Sequence, residues 1–238
     1  MSRYAIIVLG ALWYESPFHD IEGYKVSRKL EMLDKNPEEV ALVVFSGGED
    51  VGPFFYGGQD PRNICYTNYR RDYFEQRVFN HCRKHFIKMT GICRGFQFLN
   101  VMSGGKMYQH INYHGQEHPA YFSWKKEDYV VSSTHHQLVK LPQDGIPIIW
   151  STSRRSNVYI GPSGEIAAPP EKEIEAAIFP STKTVGVQYH PEMMMSDKPG
   201  YKAYIELITD YIGLNFENFL TKYSEVSHAQ RARQAGEA

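Results

Sequence analysis

The chain has 238 residues, 42% of them hydrophobic, which is enough for one large domain or two small ones. A chain of this size buries about 70% of the surface that it exposes when unfolded, which excludes wholesale disorder. Its 26 Lys and Arg residues balance 27 Asp and Glu residues, giving a formal net charge of −1. Because basic residues are not in excess, we expect neither a nucleic acid nor a membrane as a partner.

The N-terminal apolar run and the cysteines indicate where the protein is located. Residues 5–13 are apolar, but a membrane-spanning helix needs about 20 such residues. No small-residue cleavage site follows, so we interpret residues 4–9 as a buried strand rather than part of a signal peptide. The three cysteines, Cys65, Cys82 and Cys93, do not form a disulfide framework. We therefore expect a cytoplasmic protein.

The first half of the chain alternates predicted strands and helices. Three short apolar runs end in turn-forming residues, at 5–9, 41–45 and 86–92. Continuous aliphatic and β-branched runs of this length suit strands that are covered on both faces. Apolar residues at roughly helical spacing predict helices over residues 24–35 and 69–84. This alternation predicts a parallel sheet with right-handed crossovers.

The second half is predicted to contain more strand. One further helix is expected directly after Cys93, and short apolar runs separated by proline and glycine predict strands within residues 129–188. A last helix is predicted over residues 201–219. Because no linker composition divides the chain, we predict one domain over residues 1–223 and a flexible tail over residues 224–238.

A Gly91-x-Cys93-x-Gly95 pattern stands between a predicted strand and a predicted helix. It has the form of a nucleophile elbow with cysteine in place of serine. The two glycines let neighbouring backbone pass without a Cβ clash, and the helix N-terminus favours the thiolate. The amide of Arg94 would then face a developing oxyanion. A buried structural cysteine is the alternative, and this motif alone leaves both open.

A His-x-Glu pattern follows a later predicted strand. His190 ends an apolar run, and Glu192 stands two residues further on. A thiolate nucleophile needs a base, and that base needs an acceptor that orients it. An isolated pattern of this kind is more often a strand-end histidine beside a solvated glutamate.

Two further segments carry groups that could bind a ligand. Gly47 and Gly48 follow a predicted strand and can turn backbone N–H groups towards an anion, although the lysine of a P-loop is absent. His135 and His136 are adjacent, and a pair of neighbouring side chains rarely closes a metal site.

A third histidine pattern has the spacing of one helix face. His110, His114 and His118 are four residues apart, but Gly115 and Pro119 argue against a continuous helix there. We therefore expect no metal site.

In combination, these motifs resemble the class I glutamine amidotransferase superfamily, in which a cysteine elbow precedes a His-x-Glu pattern. Within the superfamily, the chain looks most like the γ-glutamyl-γ-aminobutyrate hydrolase-like branch. The resemblance covers residues 41–192, although residues 112–126 align with no part of the family pattern. The segments that carry the closer resemblance are Ser46-Gly47-Gly48-Glu49-Asp50-Val51, Tyr56-Gly57-Gly58, Arg71-Asp72 with Glu75, and Ser133-x-His135-His136-Gln137.

The resemblance implies an α/β fold of three layers, with a mostly parallel central sheet and helices on both faces. It also implies that Cys93 attacks the γ-carbonyl of a small γ-glutamyl substrate and forms a thioester. His190 would act as base and then as acid, and Glu192 would orient its ring. No cofactor is expected.

The same resemblance implies the groups around the substrate. The backbone amides of Gly48 and Arg94 would form the oxyanion hole. Gln97, His135 and His136 would hold the amino-acid end of the glutamyl group.

Three functions remain open. A stand-alone hydrolase would release glutamate from a γ-glutamyl amine, whereas a glutaminase subunit would pass ammonia to a separate synthetase partner. A non-catalytic binding protein on the same fold is the third, and the presence of Cys93, His190 and Glu192 together argues against it. A cysteine peptidase is a further possibility at the level of the fold.

Overall fold

The structure is a computed structural model that describes residues 4–224. The predicted flexible tail, residues 224–238, lies outside the described residues apart from Ser224. The single domain over residues 1–223 stays a prediction. The strands of the described range are β1 (Tyr4–Val8), β2 (Tyr24–Ser27), β3 (Val40–Phe45), β4 (Lys88–Ile92), β5 (Lys106–Tyr108), β6 (His110–Ile111), β7 (His118–Phe122), β8 (Glu127–Val131), β9 (Leu138–Lys140), β10 (Ile146–Ser151), β11 (Tyr159–Ile160), β12 (Ile174–Phe179) and β13 (Thr184–Val187). The α-helices are α1 (Glu31–Lys35), α2 (Tyr69–Lys84), α3 (Arg94–Met102), α4 (Pro199–Gly213) and α5 (Phe216–Tyr223).

A nine-stranded sheet is the centre of the described residues. Its strand order is β2-β1-β3-β4-β13-β12-β10-β7-β8. The strands from β2 to β13 pair in parallel, and those from β13 to β8 pair antiparallel. The predicted α/β class is confirmed, because the parallel half is built from the alternating strands and helices of the first half of the chain.

Apolar side chains leave both faces of this sheet. Along β1, Ile6 and Val8 enter one core, whereas Ile7 and the following Leu9 enter the other. This alternation follows from the two-residue period of a strand. Helices α4 and α5 pack on the first core, and α2 and α3 pack on the second. The predicted three layers are therefore confirmed.

The helix predicted over residues 24–35 is wrong for most of its length. Tyr24–Ser27 is the edge strand β2, in parallel register with β1, and only Glu31–Lys35 is helical. The pattern misled because an edge strand is only partly buried and shows no clear alternation. Backbone pairing with β1 outweighs the weak helical spacing of the side chains.

The helix predicted over residues 201–219 is two helices. Helix α4 ends at Gly213, and the Asn215 side chain caps α5 by accepting a hydrogen bond from the Asn218 amide at 2.9 Å. Glycine at a helix end and asparagine at a helix start are the usual stop and start signals. No helix in residues 4–224 has the length and apolar character that crossing a membrane requires.

Candidate active site

Cys93 occupies a strained turn between β4 and α3. Its φ is +51° and its ψ is −110°, a conformation that residues with a side chain rarely adopt. A Cβ at Gly91 would collide with the backbone of Gly95, and a Cβ at Gly95 would collide with the carbonyl of Phe45. The glycines on either side of Cys93 are therefore required for backbone to approach backbone, as the elbow pattern predicted.

The strand β13 lies beside β4 and delivers His190 to the same end of the sheet. Glu192 follows in a 3-10 helix over Pro191–Met193, and its Oε1 lies 2.6 Å from Nδ1 of His190. Ser132 holds the histidine backbone, accepting a hydrogen bond from the His190 amide at 3.0 Å and donating one to its carbonyl at 2.6 Å. The side chains of His190 and Glu192 are both buried.

The pKa of His190 depends on its neighbours Cys93 and Glu192. Burial alone would lower the pKa of His190, but its hydrogen bond to Glu192 and the charges of Cys93 and Glu192 raise this pKa to about 10. The imidazole is therefore protonated at neutral pH, with Nδ1 facing the Glu192 carboxylate and Nε2 facing the Thr134 hydroxyl. Cys93, His190 and Glu192, predicted from two separate motifs, are brought together.

The Ser46-Gly47-Gly48 turn forms one wall of this site. A Cβ at Gly47 would meet the hydroxyl of Tyr14 and lie 3.3 Å from Cε1 of His190. A Cβ at Gly48, where φ is +141°, would collide with the guanidinium of Arg71. The turn is therefore enclosed between His190 and Arg71 and has no room for side chains.

Arg71, on α2, holds this turn from the side away from His190. Its Nη2 donates to the carbonyl of Ser46 at 2.9 Å and to that of Gly47 at 3.0 Å. In a trans peptide the C=O and the N–H point in opposite directions. Since the Gly47 carbonyl faces Arg71, the N–H of Gly48 faces away from it.

A second arginine anchors the elbow. The buried side chain of Arg94 forms ion pairs with Asp72 and Glu75 of α2. Asp72 also accepts a hydrogen bond from the Gly52 amide at 3.0 Å. Helix α2 thus secures both the glycine turn and the start of α3, and the Arg94 side chain is held by α2 and does not serve as a free cation.

Gln97, His135 and His136, the residues predicted to bind substrate, lie in three environments. Gln97 is buried, and its amide donates to Oε1 of Gln188 at 3.2 Å. His136 is partly exposed, with Nε2 3.2 Å from the carboxylate of Asp50. His135 is buried, and its side chain is only 1% exposed.

Sequence reasoning missed two residues beside His190. Thr134 Oγ1 lies 2.8 Å from Nε2 of His190, and the ring of Tyr14 lies 6.2 Å from the His190 ring. Burial raises the pKa of Tyr14, and the charges of Glu192 and Cys93 raise it further. Neither residue belongs to a motif, although Thr134 adjoins the histidine pair that the sequence singled out.

His114 and His118 also converge, which the sequence did not predict. The segment is not a continuous helix, as expected, because His118 begins strand β7. Even so, ligand-type atoms of His114, His118 and Glu175 all lie within 4.8 Å of one another. The interruption of the helical pattern therefore did not separate these side chains, because the tertiary fold brings them together.

The elbow cysteine, the His-x-Glu pair and the layered sheet define a protein of the class I glutamine amidotransferase superfamily. More narrowly, the chain belongs to the peptidase C26 family, which it matches over residues 25–192. It is similar to the glutamine amidotransferase-like protein YvdE of Lactococcus lactis, with 28% identity over 187 residues, 70% of this chain and 69% of the relative. This membership supports a hydrolase or an amidotransferase.

Two solved structures share the fold. A glutamine amidotransferase from Thermotoga maritima has a TM-score of 0.52 and 17% identity, covering 99% of this chain and 94% of that one. A GMP synthase subunit protein from Thermoplasma acidophilum has a TM-score of 0.51 and 14% identity, covering 99% of both chains. At these identities the likeness extends to the fold alone.

Proposed function

We propose that the protein hydrolyses a γ-glutamyl amide bond, in glutamine or in a γ-glutamyl amine, through a thioester on Cys93. The observation that carries this proposal is that the Cys93 elbow lies beside the segment that ends in His190 and Glu192. The Cys93 amide donates to the Val187 carbonyl at 2.8 Å, and Nδ1 of His190 lies 2.6 Å from Oε1 of Glu192. A protonated imidazole beside a sulfur at a helix N-terminus favours the thiolate. Membership in the peptidase C26 family supports cleavage of an amide.

In the first step, the Cys93 thiolate forms a bond to the γ-carbonyl carbon, and the carbonyl electron pair moves onto oxygen. The amides of Gly48 and Arg94 then donate hydrogen bonds to this oxyanion. The direction of the Gly48 N–H, away from Arg71, supports this role. The Arg94 amide belongs to the first residue of α3, where helix N–H groups have no partner within the helix.

In the second step, His190 gives its proton to the amide nitrogen as the C–N bond breaks and the amine leaves. Water then attacks the thioester while His190 accepts a proton, and the C–S bond breaks to return the thiolate and release glutamate. Glu192 keeps the ring oriented throughout through its contact with Nδ1. These steps use no cofactor.

Polar side chains near Cys93 would bind the glutamyl end of the substrate. Gln97 lies one helical turn after Cys93, and His136 is partly exposed beside Asp50. A site that hydrogen-bonds the α-amino and α-carboxyl groups disfavours substrates that lack them by a factor of about 10⁴. His135 has little exposed surface in the present structure, so a direct substrate contact by its side chain needs a local rearrangement.

The leaving amine would lie near an aromatic cluster. The Phe54 ring is 69% exposed and stacks edge-on against Phe55, which in turn contacts Tyr73. These residues follow the proposed oxyanion turn in the 3-10 helix over Pro53–Tyr56 and at the start of α2. We therefore expect bulky or apolar amines to be accepted in place of ammonia.

A second candidate function is a glutaminase subunit that supplies ammonia to a separate synthetase. The observation that favours it is the similarity to the glutamine amidotransferase-like protein YvdE of Lactococcus lactis. Under this proposal the exposed aromatic cluster would be a docking site for the synthetase.

The deciding experiment uses the purified protein alone with glutamine, γ-glutamyl-aminobutyrate and a γ-glutamyl anilide. We expect fast cleavage of the γ-glutamyl amines, slow cleavage of glutamine and a γ-glutamyl adduct on the Cys93 peptide in quenched reactions. Cys93→Ser should lower kcat/KM by about 10⁴ or more, whereas Cys65→Ser is the matched control. Cleavage that appears only when a synthetase is added would favour the second candidate, and equal rates in wild type and Cys93→Ser would reject both.

We further propose a cytoplasmic location without nucleic acid or membrane partners. The near-neutral charge supports it, as does the free state of all three cysteines. Fractionation of cells that express the tagged chain tests the location.

A further inference from the structure

A buried group of histidines and glutamates lies beside the candidate active site and takes no part in the proposed bond-forming and bond-breaking steps. The group, called here the His/Glu cluster, has side-chain exposures of 0 to 2%. Its members come from the loop after β6, the start of β7, the segment after β8, and the start of β12 with the residue before it. They are His114, His118, His135, Glu173 and Glu175.

Backbone carbonyls set the tautomers of two of these histidines. Nδ1 of His118 lies 3.1 Å from the carbonyl of Gln116, and Nδ1 of His135 lies 2.8 Å from that of Gln137. A carbonyl only accepts hydrogen bonds, so each Nδ1 carries a proton and a neutral ring has its lone pair on Nε2. This arrangement is the usual second layer of contacts around metal-binding histidines.

Both Nε2 atoms lie near the same carboxylate oxygen. Nε2 of His118 lies 3.0 Å from Oε1 of Glu175, and Nε2 of His135 lies 3.6 Å from it. Nδ1 of His114 approaches the same oxygen at 3.5 Å. Because a carboxylate and a neutral imidazole nitrogen are both acceptors, a positive charge must lie between them.

Several of these atoms have no hydrogen-bond partner within residues 4–224. They are both ring nitrogens of His114, Nε2 of His135 and Oε2 of Glu175. An unpaired polar atom in the interior of a protein is costly, so buried polar groups are nearly always satisfied. The contact between Nε2 of His118 and Oε1 of Glu175 has hydrogen-bond geometry, whereas these four atoms lie close to their neighbours without it.

The distances match those between the ligands of a tetrahedral metal ion. Zn²⁺ binds imidazole nitrogen and carboxylate oxygen at about 2.0–2.1 Å, which places neighbouring ligand atoms about 3.3 Å apart in a tetrahedron. The three nitrogens lie 3.0, 3.5 and 3.6 Å from Oε1 of Glu175. We propose that His114, His118 and Glu175 bind a divalent transition-metal ion of the Zn²⁺ type, with Nε2 of His135 beside the site.

Glu173 completes the surroundings of this site. Its carboxylate accepts hydrogen bonds from the amides of Arg155 and Ser156 and lies 3.2 Å from Nε2 of His114. Glu173 therefore orients the His114 ring through Nε2 while Nδ1 of the same ring binds the ion. Two carboxylates and three neutral imidazoles then surround a dication, so the buried charge is balanced.

The position of the site indicates a structural role for the ion. His135 directly follows Thr134, whose hydroxyl contacts His190. The carbonyl of Glu175 accepts a hydrogen bond at 2.7 Å from the amide of Gln188, two residues before His190. A bound ion would thus tie together two segments that position the candidate base without itself touching the substrate.

The test is metal loading of the intact protein, and it does not depend on the proposed enzymatic activity. Chelator-treated wild type should take up one equivalent of zinc, measured by elemental analysis after desalting. Its Tm should rise by about 5–10 °C at a hundredfold excess of zinc over its Kd. Cobalt should give the visible bands of a tetrahedral site without the thiolate-to-metal charge transfer that Cys93 would add.

Three variants separate this site from other zinc-binding groups. His118→Asn should lose the bound equivalent, whereas His110→Asn, from the same spaced pattern, should keep it. Cys93→Ser should also keep it, because the sulfur is not a ligand.

Two results would overturn the proposal. One is wild-type protein that binds no zinc and shows no change in Tm, which means that protons supply the positive charge of the cluster. The other is a bound equivalent that Cys93→Ser loses and His118→Asn keeps, which means that the thiol is the ligand.

Discussion

The surroundings of the three cysteines differ in ways that control their reactivity. Burial raises the pKa of Cys82 to about 12, and burial together with the charges of Asp60 and Asp50 raises that of Cys65 to about 12. Cys93 instead adjoins His190 at the start of α3. At neutral pH the two raised pKa values leave very little thiolate at Cys65 and Cys82.

We therefore expect iodoacetamide to alkylate Cys93 at least about tenfold faster than either other cysteine. Peptide mass mapping over a time course of labelling measures the three rates in one sample. Faster labelling of Cys65 or Cys82 would contradict the assignment of Cys93 as the nucleophile.

The raised pKa of His190 sets the expected pH dependence. The protonated ring stabilises its partners below the unfolded-state pKa of about 6.5, and this stabilisation is lost as pH rises through about 10. The same proton is needed by the leaving amine, so kcat/KM should fall on the alkaline side as pH passes about 10.

Glu192→Gln should move this alkaline fall to lower pH by about 1–2 units, because it removes a negative charge that favours the protonated ring. The measurement is kcat/KM from about pH 6 to about pH 11, which covers both sides of the expected fall. Glu49→Gln, which changes an exposed carboxylate that pairs with Arg71, is the control. If kcat/KM falls at the same alkaline pH in wild type and in Glu192→Gln, Glu192 does not raise the pKa of His190.

At the scale of the elements, α2 holds together the two loops that build the site. Arg71 binds the carbonyls of the glycine turn, and Asp72 and Glu75 pair with the buried side chain of Arg94. Glu75 also accepts from Nε of Arg71 at 2.8 Å. One helix face therefore couples the elbow to the proposed oxyanion turn.

Loss of Glu75 should be costly, because Arg94 would keep its buried charge with one partner fewer. We expect Glu75→Gln to lower the free energy of unfolding by about 3–5 kcal/mol. Glu49→Gln breaks the ion pair between Arg71 and Glu49, and the Glu49 side chain is 48% exposed. This variant should therefore lower the free energy of unfolding by less than about 1 kcal/mol. Urea denaturation measures both, and similar losses in the two variants would reject the anchoring role of α2.

At the scale of the whole molecule, parts of the chain outside the family match complete the site. The match covers residues 25–192, whereas β1, Tyr14 and α4 lie beyond it. Tyr14 packs against Gly47, and α4 covers one face of the central strands. Segments on both sides of the matched range therefore pack against the elements that carry the elbow.

Tyr211 of α4 is the clearest link between the C-terminal helices and the sheet. Its hydroxyl contacts the carbonyls of Met89 at 3.0 Å and Lys183 at 2.7 Å, and it accepts from the Met89 amide at 3.1 Å. Tyr211→Phe leaves these buried groups unpaired and should cost about 1–3 kcal/mol.

The control for this variant is Tyr129→Phe, which removes a single hydrogen bond to the exposed Glu127. It should change the free energy of unfolding by less than about 1 kcal/mol. Thermal and urea unfolding measure the difference, and equal effects would mean that the Tyr211 hydroxyl does not hold α4 to the sheet.

Features that depend on near neighbours in the chain could be predicted from the amino-acid sequence. The bounds of α2 match the prediction at both ends, and the elbow glycines stand where close backbone contact requires them. The order of Cys93, His190 and Glu192 was sufficient to propose a triad. These features are readable because helix periodicity, turn chemistry and glycine spacing act over a few residues.

Contacts between residues far apart in the chain depend on the tertiary structure and could not be predicted from the sequence. Glu175 on β12 meets His118 on β7 because both strands pair with β10, and Thr134, which follows β8 beside β7, reaches His190. Strand order in a sheet depends on backbone pairing between segments far apart in the chain, and side-chain spacing within one segment carries no record of it.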